Sequence, residues 1–252
     1  MTTTKNGVTT TGRRGTLRSV RGYKQEYCPI VRASEVLAER WTPIIVRNLL
    51  LGCETFTEIA AGAPGISETL LSQRLRSLER YGILERHANP KGRGWLYRLT
   101  SAGHELQHVC DALGTWGARW LDAAPQGLDP GIVLWAVAKN MDPKKFPRQR
   151  VVVRFDLRDA PEQNYWILIQ RPESELCRKH PGFEEDVVVT TETAWLTKWH
   201  IGRISLREAL RQGIIQIDGP PALARAFARC GGQSPFAAIS PRVRENLSAS
   251  HS

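Results

Sequence analysis

Long apolar runs are missing from this chain: no stretch approaches the roughly 18 consecutive apolar residues that span a bilayer. The Thr-rich, basic N-terminus lacks the apolar segment of a secretory leader. Cysteine is sparse. The five residues, at 28, 53, 110, 177 and 230, are odd in number, scattered and without a CxxC pair. That argues against a disulfide framework and against a zinc ribbon, and makes a reducing cytoplasm the expected compartment. Also absent are a G-x-S-x-G elbow, a P-loop and a dinucleotide fingerprint, so no cofactor is expected. Acidic groups are in deficit, 25 against 35 basic ones.

What is present suits a folded protein. Apolar residues make up 41% of the 252 positions and charged residues 24%, which excludes disorder across the whole chain. The length allows one large domain or two small ones. The net charge of +10 and pI near 9.7 suit a polyanionic partner, nucleic acid first and an anionic membrane second. Residues 1–125 hold 17 basic and 11 acidic groups, net +6, and the remainder 18 and 14, net +4.

Residues 1–25 carry six basic and no acidic side chains with almost no apolar content, which predicts a disordered arm. A first domain is expected over 26–123. Ile30, Ala33, Leu37 and Trp41 recur at helical spacing. Thr42-Pro43 reads as an N-cap followed by an N1 proline, opening a helix through Leu50. Thr55-Phe-Thr-Glu58 is a capping box for a short helix to Ala61. Ala63-Pro64-Gly65-Ile66 forms a turn, and Ser67 caps a helix that runs to about Arg80. Two helices joined by a tight Gly-containing turn make a helix-turn-helix. Ile83–His87 and Trp95–Leu99, joined by a Gly-rich turn, predict a hairpin directly behind it: a wing.

The helix at 67–80 has an apolar stripe, Leu71, Leu75 and Leu78, opposite a polar face. The N-terminal part of such a helix enters the major groove. Glu68, Thr69, Ser72 and Gln73 are therefore candidates for base edges and Arg76 and Arg80 for phosphates, with the cap residue Ser67 counted in the DNA-binding set. Lys91 and Arg93 lie at the wing tip, within reach of backbone or minor groove. A merely solvated amphipathic face is the plainer alternative. The wing and the basic half-chain favour DNA.

Residues 104–121 read as one helix, with Leu106, Val109, Leu113, Trp116 and Trp120 at alternating spacings of three and four. Such a seam either packs on its own domain or joins two copies in a homodimer. Ala124-Pro-Gln-Gly127 marks a linker. A second, α+β domain is expected over 129–232, with strands at 151–157, 165–170, 187–190 and 214–217, helices at 130–140, 192–200, 205–212 and 221–229, and a frayed tail over 240–252.

These residues carry a resemblance. Tyr27-Cys-Pro29, Arg40-Trp-Thr42, Leu49-Leu-Leu-Gly52, Phe56-Thr-Glu-Ile59 and Pro64-Gly-Ile-Ser67 closely resemble the HxlR family of bacterial winged-helix transcription regulators. So do Leu71-Ser-Gln-Arg-Leu-Arg76, Gly82-Ile-Leu-Glu-Arg86 and Tyr97-Arg-Leu-Thr100, so that the match spans about 27–121. The resemblance implies a homodimer on palindromic operator DNA, held partly by the helix after the wing through Leu106, Leu113, Trp116 and Trp120. Some members of the family sense oxidants through a cysteine near the start of this domain, and Cys28 matches that position; a packing role is the alternative. Residues of about 130–230, including Val153-Arg-Phe-Asp-Leu157, Trp166-Ile-Leu168 and Gly213-Ile-Ile-Gln-Ile-Asp-Gly-Pro220, resemble the sterol-carrier-protein-like fold. That resemblance implies an apolar site and, here, an effector-sensing role. Trp135, Trp166, Trp195, Trp199 and Phe227 would either line such a pocket or form plain core.

Two other function classes compete with DNA binding. His104-Glu-Leu-Gln-His108 spells H-E-x-x-H, the pattern of a zinc hydrolase helix. It lacks a nearby third ligand and sits in the seam helix, so no metal and no enzyme are expected. A lipid carrier with a basic N-terminal half would bind lipid and show no sequence-specific DNA affinity.

Overall fold

The computed structural model describes residues 28–90, 92–121 and 129–241. The expected basic arm at 1–25, most of the tail and Lys91 lie outside the described residues.

The first half is helical with one hairpin. Helix α1 spans Pro29–Leu37, α2 Thr42–Leu50, α3 Phe56–Ala61 and α4 Glu68–Arg80. Strands β1 (Leu84–Ala88) and β2 (Trp95–Leu99) pair antiparallel, Leu84 opposite Leu99 and Ala88 opposite Trp95. Local chemistry explains the boundaries. The Thr55 hydroxyl accepts from the Glu58 amide at 3.2 Å, and the Glu58 carboxylate accepts from the Thr55 amide at 2.9 Å. The Ser67 hydroxyl accepts from the Leu70 amide at 3.2 Å. Gly65 turns between the helices at φ +85°, where a side chain would be strained. At α2 the expected cap is displaced by one residue. Trp41 is the N-cap and Thr42 the first helical residue, because the preceding turn already bonds the Thr42 amide to the Glu39 carbonyl at 2.9 Å.

The core of this half gathers Ile45, Val46, Leu49, Ile59, Leu71, Leu75, Leu78 and Leu84. The three α4 leucines are all but inaccessible. Burying each is worth about 1.5–3 kcal/mol, enough to fix which face of α4 points outward. Ile30 does not join this core: it is 76% exposed on α1.

The expected single helix at 104–121 is two. Helix α5 spans Ser101–Glu105 and α6 Gln107–Trp120, meeting at Leu106. The chain enters α5 earlier than expected because the Thr100 hydroxyl caps the Gly103 amide at 3.2 Å while donating to the Gly82 carbonyl at 2.6 Å. Leu106 turns onto the core of its own domain, whereas Val109, Leu113, Trp116 and Trp120 stay exposed.

The second half is a five-stranded sheet of order β5-β4-β3-β6-β7: β3 Arg150–Leu157, β4 Tyr165–Gln170, β5 Glu173–Cys177, β6 Val187–Thr191 and β7 Gln216–Asp218. Only the β3–β6 pair is parallel. Helices α7 (Pro130–Lys139), α8 (Thr193–His200), α9 (Leu206–Arg211) and α10 (Pro221–Arg229) supply the rest. Alternation places Val151, Val153, Phe155, Tyr165, Ile167 and Ile169 in one large core with α7, α8 and α10. Val152, Trp166 and Leu168 form a small second cluster with Cys177 and Phe183. The chain is thus a mixed helix and sheet protein with an N-terminal helix-turn-helix. Among the described residues no helix is long and apolar enough to cross a membrane.

Candidate nucleic-acid interface

The three-helix scaffold presents α4 by its polar side. Ser67, Glu68, Thr69, Gln73, Arg76 and Arg80 are exposed, and Ser72 is half-buried. The sequence-predicted base-reading and phosphate-binding residues of this helix therefore share one accessible surface. Arg74 on the flank is engaged elsewhere, pairing with Glu39 at 2.6 Å.

Between α4 and β1 lies a groove of about 540 Å³ lined by Gln73, Arg76, Ser77, Glu79, Arg80 and Arg86, with Arg74 at its edge. Arg86 was not singled out from the sequence. Its guanidinium pairs with Glu79 at 3.1 Å and lies 4.7 Å from the centre of the exposed Trp95 ring. The strand register puts Arg86 opposite Tyr97 and Trp95 at the far end of the hairpin. The sequence signal was present in the charged, exposed alternation of β1, but only the pairing shows that it faces α4. With Arg74 paired to Glu39 and Arg86 to Glu79, the groove keeps a net positive charge from Arg76 and Arg80, an attractive seat for phosphate oxygens, which planar guanidinium groups bind in pairs.

The wing is tied to the scaffold by Arg98, whose guanidinium meets both oxygens of Glu54 at 2.8 and 3.2 Å. Arg93 is exposed in the wing turn. Glu58, at the start of the helix-turn-helix, holds the same loop. Burial pushes its carboxyl pKa up, but hydrogen bonds from Thr55 and from the Glu54 amide outweigh this and leave it below the usual carboxylate value.

On the side of α6 away from the core, Leu113 is 52% and Trp116 57% exposed, and Val109 and Trp120 join them. Side chains of this size left in water mark an interaction surface. Leu106, expected in this seam, belongs instead to the domain's own core.

The other sequence-predicted groups are scattered. Cys28 is half-buried at the N-cap of α1. His104 and His108 are exposed and fall on different helices, and among the described residues no group of three or more His, Cys, Asp or Glu gathers as a metal site. The five aromatic residues expected at an apolar site are split between separate clusters. Trp199 and Phe227 stack within the large core with ring centres 6.4 Å apart. Trp166 lies in the smaller cluster, donating to Glu185 at 2.7 Å. Trp195 is half-buried under the Lys198 ammonium, 3.8 Å from its ring centre. Trp135 is buried in the core of the first half. Alternation along β4 alone separates Trp166 from the residues facing the helices.

Comparison with known proteins places this interface among relatives. The HxlR-like helix-turn-helix family matches residues 36–125. The uncharacterized HTH-type transcriptional regulator YvaP of Bacillus subtilis is 35% identical over 108 residues, which are 42% of this chain and 98% of that one. The HTH-type transcriptional regulator YodB of Bacillus subtilis is 32% identical over 97 residues, 38% of this chain and 87% of YodB. The reduced form of YodB, among solved structures, aligns at 31% identity over 39% of this chain and 99% of that one, with a TM-score of 0.34.

Proposed function

The chain belongs to the HxlR-like helix-turn-helix family of bacterial transcription regulators, and from that premise we propose that it reads a palindromic operator as a homodimer, with α4 in the major groove. The observation that carries this reading is the outward, uncovered polar face of α4 beside the arginine-lined groove. Glu68, Thr69, Ser72 and Gln73 read base edges, and Ser67 at the helix start meets the DNA beside them. Arg76, Arg80, Arg86 and, at the wing, Lys91 and Arg93 hold phosphates. The exposed face of α6, with Val109, Leu113, Trp116 and Trp120, joins the two copies. Such a protein works in the cytoplasm, where the operator is. The test is a titration of the full chain against its own upstream DNA and against scrambled duplex of equal length. Tight, salt-sensitive binding that prefers the former is expected; equal affinity for both refutes sequence reading.

The sterol-carrier-like second half acts, in this reading, as the effector domain for an apolar small molecule. With its aromatic residues dispersed, the better seat is an apolar notch of about 260 Å³ against α6, lined by Gly114, Gly117, Leu121, Ile201, Phe236 and Ile239. A ligand there changes DNA binding only if it prefers one of two states of the protein. Co-purified molecules identified by mass spectrometry, and their effect on operator affinity, test this role. A second reading, oxidant sensing at Cys28, rests on its partial exposure, which it shares with Cys110 and Cys177, whose thiols burial pushes up, while Cys53 and Cys230 are buried. Loss of an oxidant response in Cys28→Ser supports it, and an unchanged response removes it.

A further inference from the structure

Trp135 belongs to the second half by sequence and to the first half by packing. It sits in the middle of α7, the helix that opens the C-terminal domain. Its neighbours Val133, Leu134, Val137 and Ala138 are buried in the large C-terminal core. Trp135 itself, 7% exposed, is buried with the core residues of α2, α3 and α4. One short helix therefore has a face in each core.

The surroundings of the indole are built for it. The Arg47 guanidinium lies 5.6 Å from the ring centre. The same guanidinium donates to the Asn48 side-chain oxygen at 3.1 and 2.8 Å and to the Gly62 carbonyl at 2.6 Å. The Asn48 amide in turn donates to the Ile59 carbonyl at 2.9 Å, and Asn48 is fully buried. Partial burial lowers the Arg47 pKa; part of the side chain stays in water, and the carbonyl oxygens and the face of the indole hold the guanidinium on the protein side. Gly62 has no room for a side chain: a methyl there would overlap the Trp135 ring and the Asn48 amide. Gly62 is the C-cap of α3 and leads directly into the turn before α4. The indole from the C-terminal domain thus backs the joint of the helix-turn-helix.

We propose that Trp135 is a positioning residue for DNA reading: docking of α7 on the first half fixes the α3–α4 turn and with it the angle at which α4 meets the duplex. Any rearrangement of the C-terminal core that moves α7 also moves the indole beneath that turn. The inference rests on the reading of α4 given above. It identifies a connected set of packed groups between the two halves, Trp135, Gly62 and Asn48 buried and Arg47 bonded to them at the edge, which is the physical route such coupling requires.

The test uses the full chain and its own upstream DNA. Trp135→Ala is expected to weaken binding roughly tenfold, within the usual range of coupling between sites. Backbone amides of residues 62–71 should exchange faster while those of β3 and β4 stay protected. Trp135→Phe, which keeps an aromatic plug, should restore both readouts toward wild type. If Trp135→Ala does not fold, Trp135→Leu carries the same comparison. Wild-type affinity and unchanged exchange at 62–71 in the folded variant overturn the inference, as does a loss of binding no greater than the measured unfolded fraction. Failure of the wild-type chain to prefer its upstream DNA overturns the reading of α4 instead, so the two failures are distinct.

Discussion

Replacing Trp116 with glutamate places a charge in the middle of the exposed α6 face. The magnitude follows from the geometry. A tryptophan buries up to about 250 Å², and 57% of Trp116 is still open to water in one copy. Covering the remaining roughly 140 Å² in a dimer is worth up to about 3.5 kcal/mol per protomer at ~25 cal/mol per Å². Two-fold symmetry counts the residue twice, so Trp116→Glu removes up to about 7 kcal/mol from association, at most roughly a hundred-thousandfold in the dimer constant, less whatever ordering and desolvation the interface costs. Two carboxylates brought together add repulsion to that loss. Residues facing the domain's own core are untouched, so the monomer should keep its fold. Sedimentation velocity at micromolar concentration should show a dimer for the wild-type chain and a monomer for Trp116→Glu, with unchanged circular dichroism. A variant that sediments as the wild-type dimer would refute the assignment of α6 to the interface.

Other consequences follow from the same contacts. Arg80→Ala combined with Arg93→Ala should lower the salt dependence of DNA binding by about two in slope, one per lost phosphate contact, in a titration across salt concentrations. Glu58→Gln weakens the capping box and should cost about 1 kcal/mol in denaturant melts at neutral pH. Because the folded carboxyl titrates below the usual value, the stabilisation from Glu58 is complete above the ordinary glutamate pKa of about 4.3 and is lost as pH falls through the lower folded one; the variant should lack that loss. His200 behaves as a base disfavoured by folding. Burial lowers its pKa, partly opposed by the Gly232 carbonyl 2.6 Å from Nδ1. The unfolded chain then takes the proton first, so stability should fall as pH drops through about 6.5, and His200→Asn should flatten that slope in melts between neutral and mildly acidic pH.

What was legible in the sequence was local. The capping box at Thr55 and Glu58, the serine cap of α4 and the spacing of Leu71, Leu75 and Leu78 each depend on neighbours within a few residues, and the structure keeps them. The orientation of α4, and hence the accessible candidate surface, follows from that spacing. What was hidden depends on distant partners. Strand β5 has no apolar run to mark it, since Glu173 and Glu175 alternate with Ser174 and Leu176; it is a strand only because β4 offers its edge. Leu106 fits the seam by period but is drawn onto its own domain where α5 meets α6. Trp135 and Arg86 illustrate the same limit: their types suggested core and charge, but packing alone decided which core and which groove.

The central claim is that the outer face of α4 discriminates bases. Selection of bound sequences from a random duplex pool, performed with the wild-type chain and with Gln73→Ala, tests it most directly. The wild type should give a two-fold symmetric consensus, and the variant relaxed preference at one position per half-site, worth about 1–3 kcal/mol. An identical consensus for the two proteins, or none for the wild type, would contradict it.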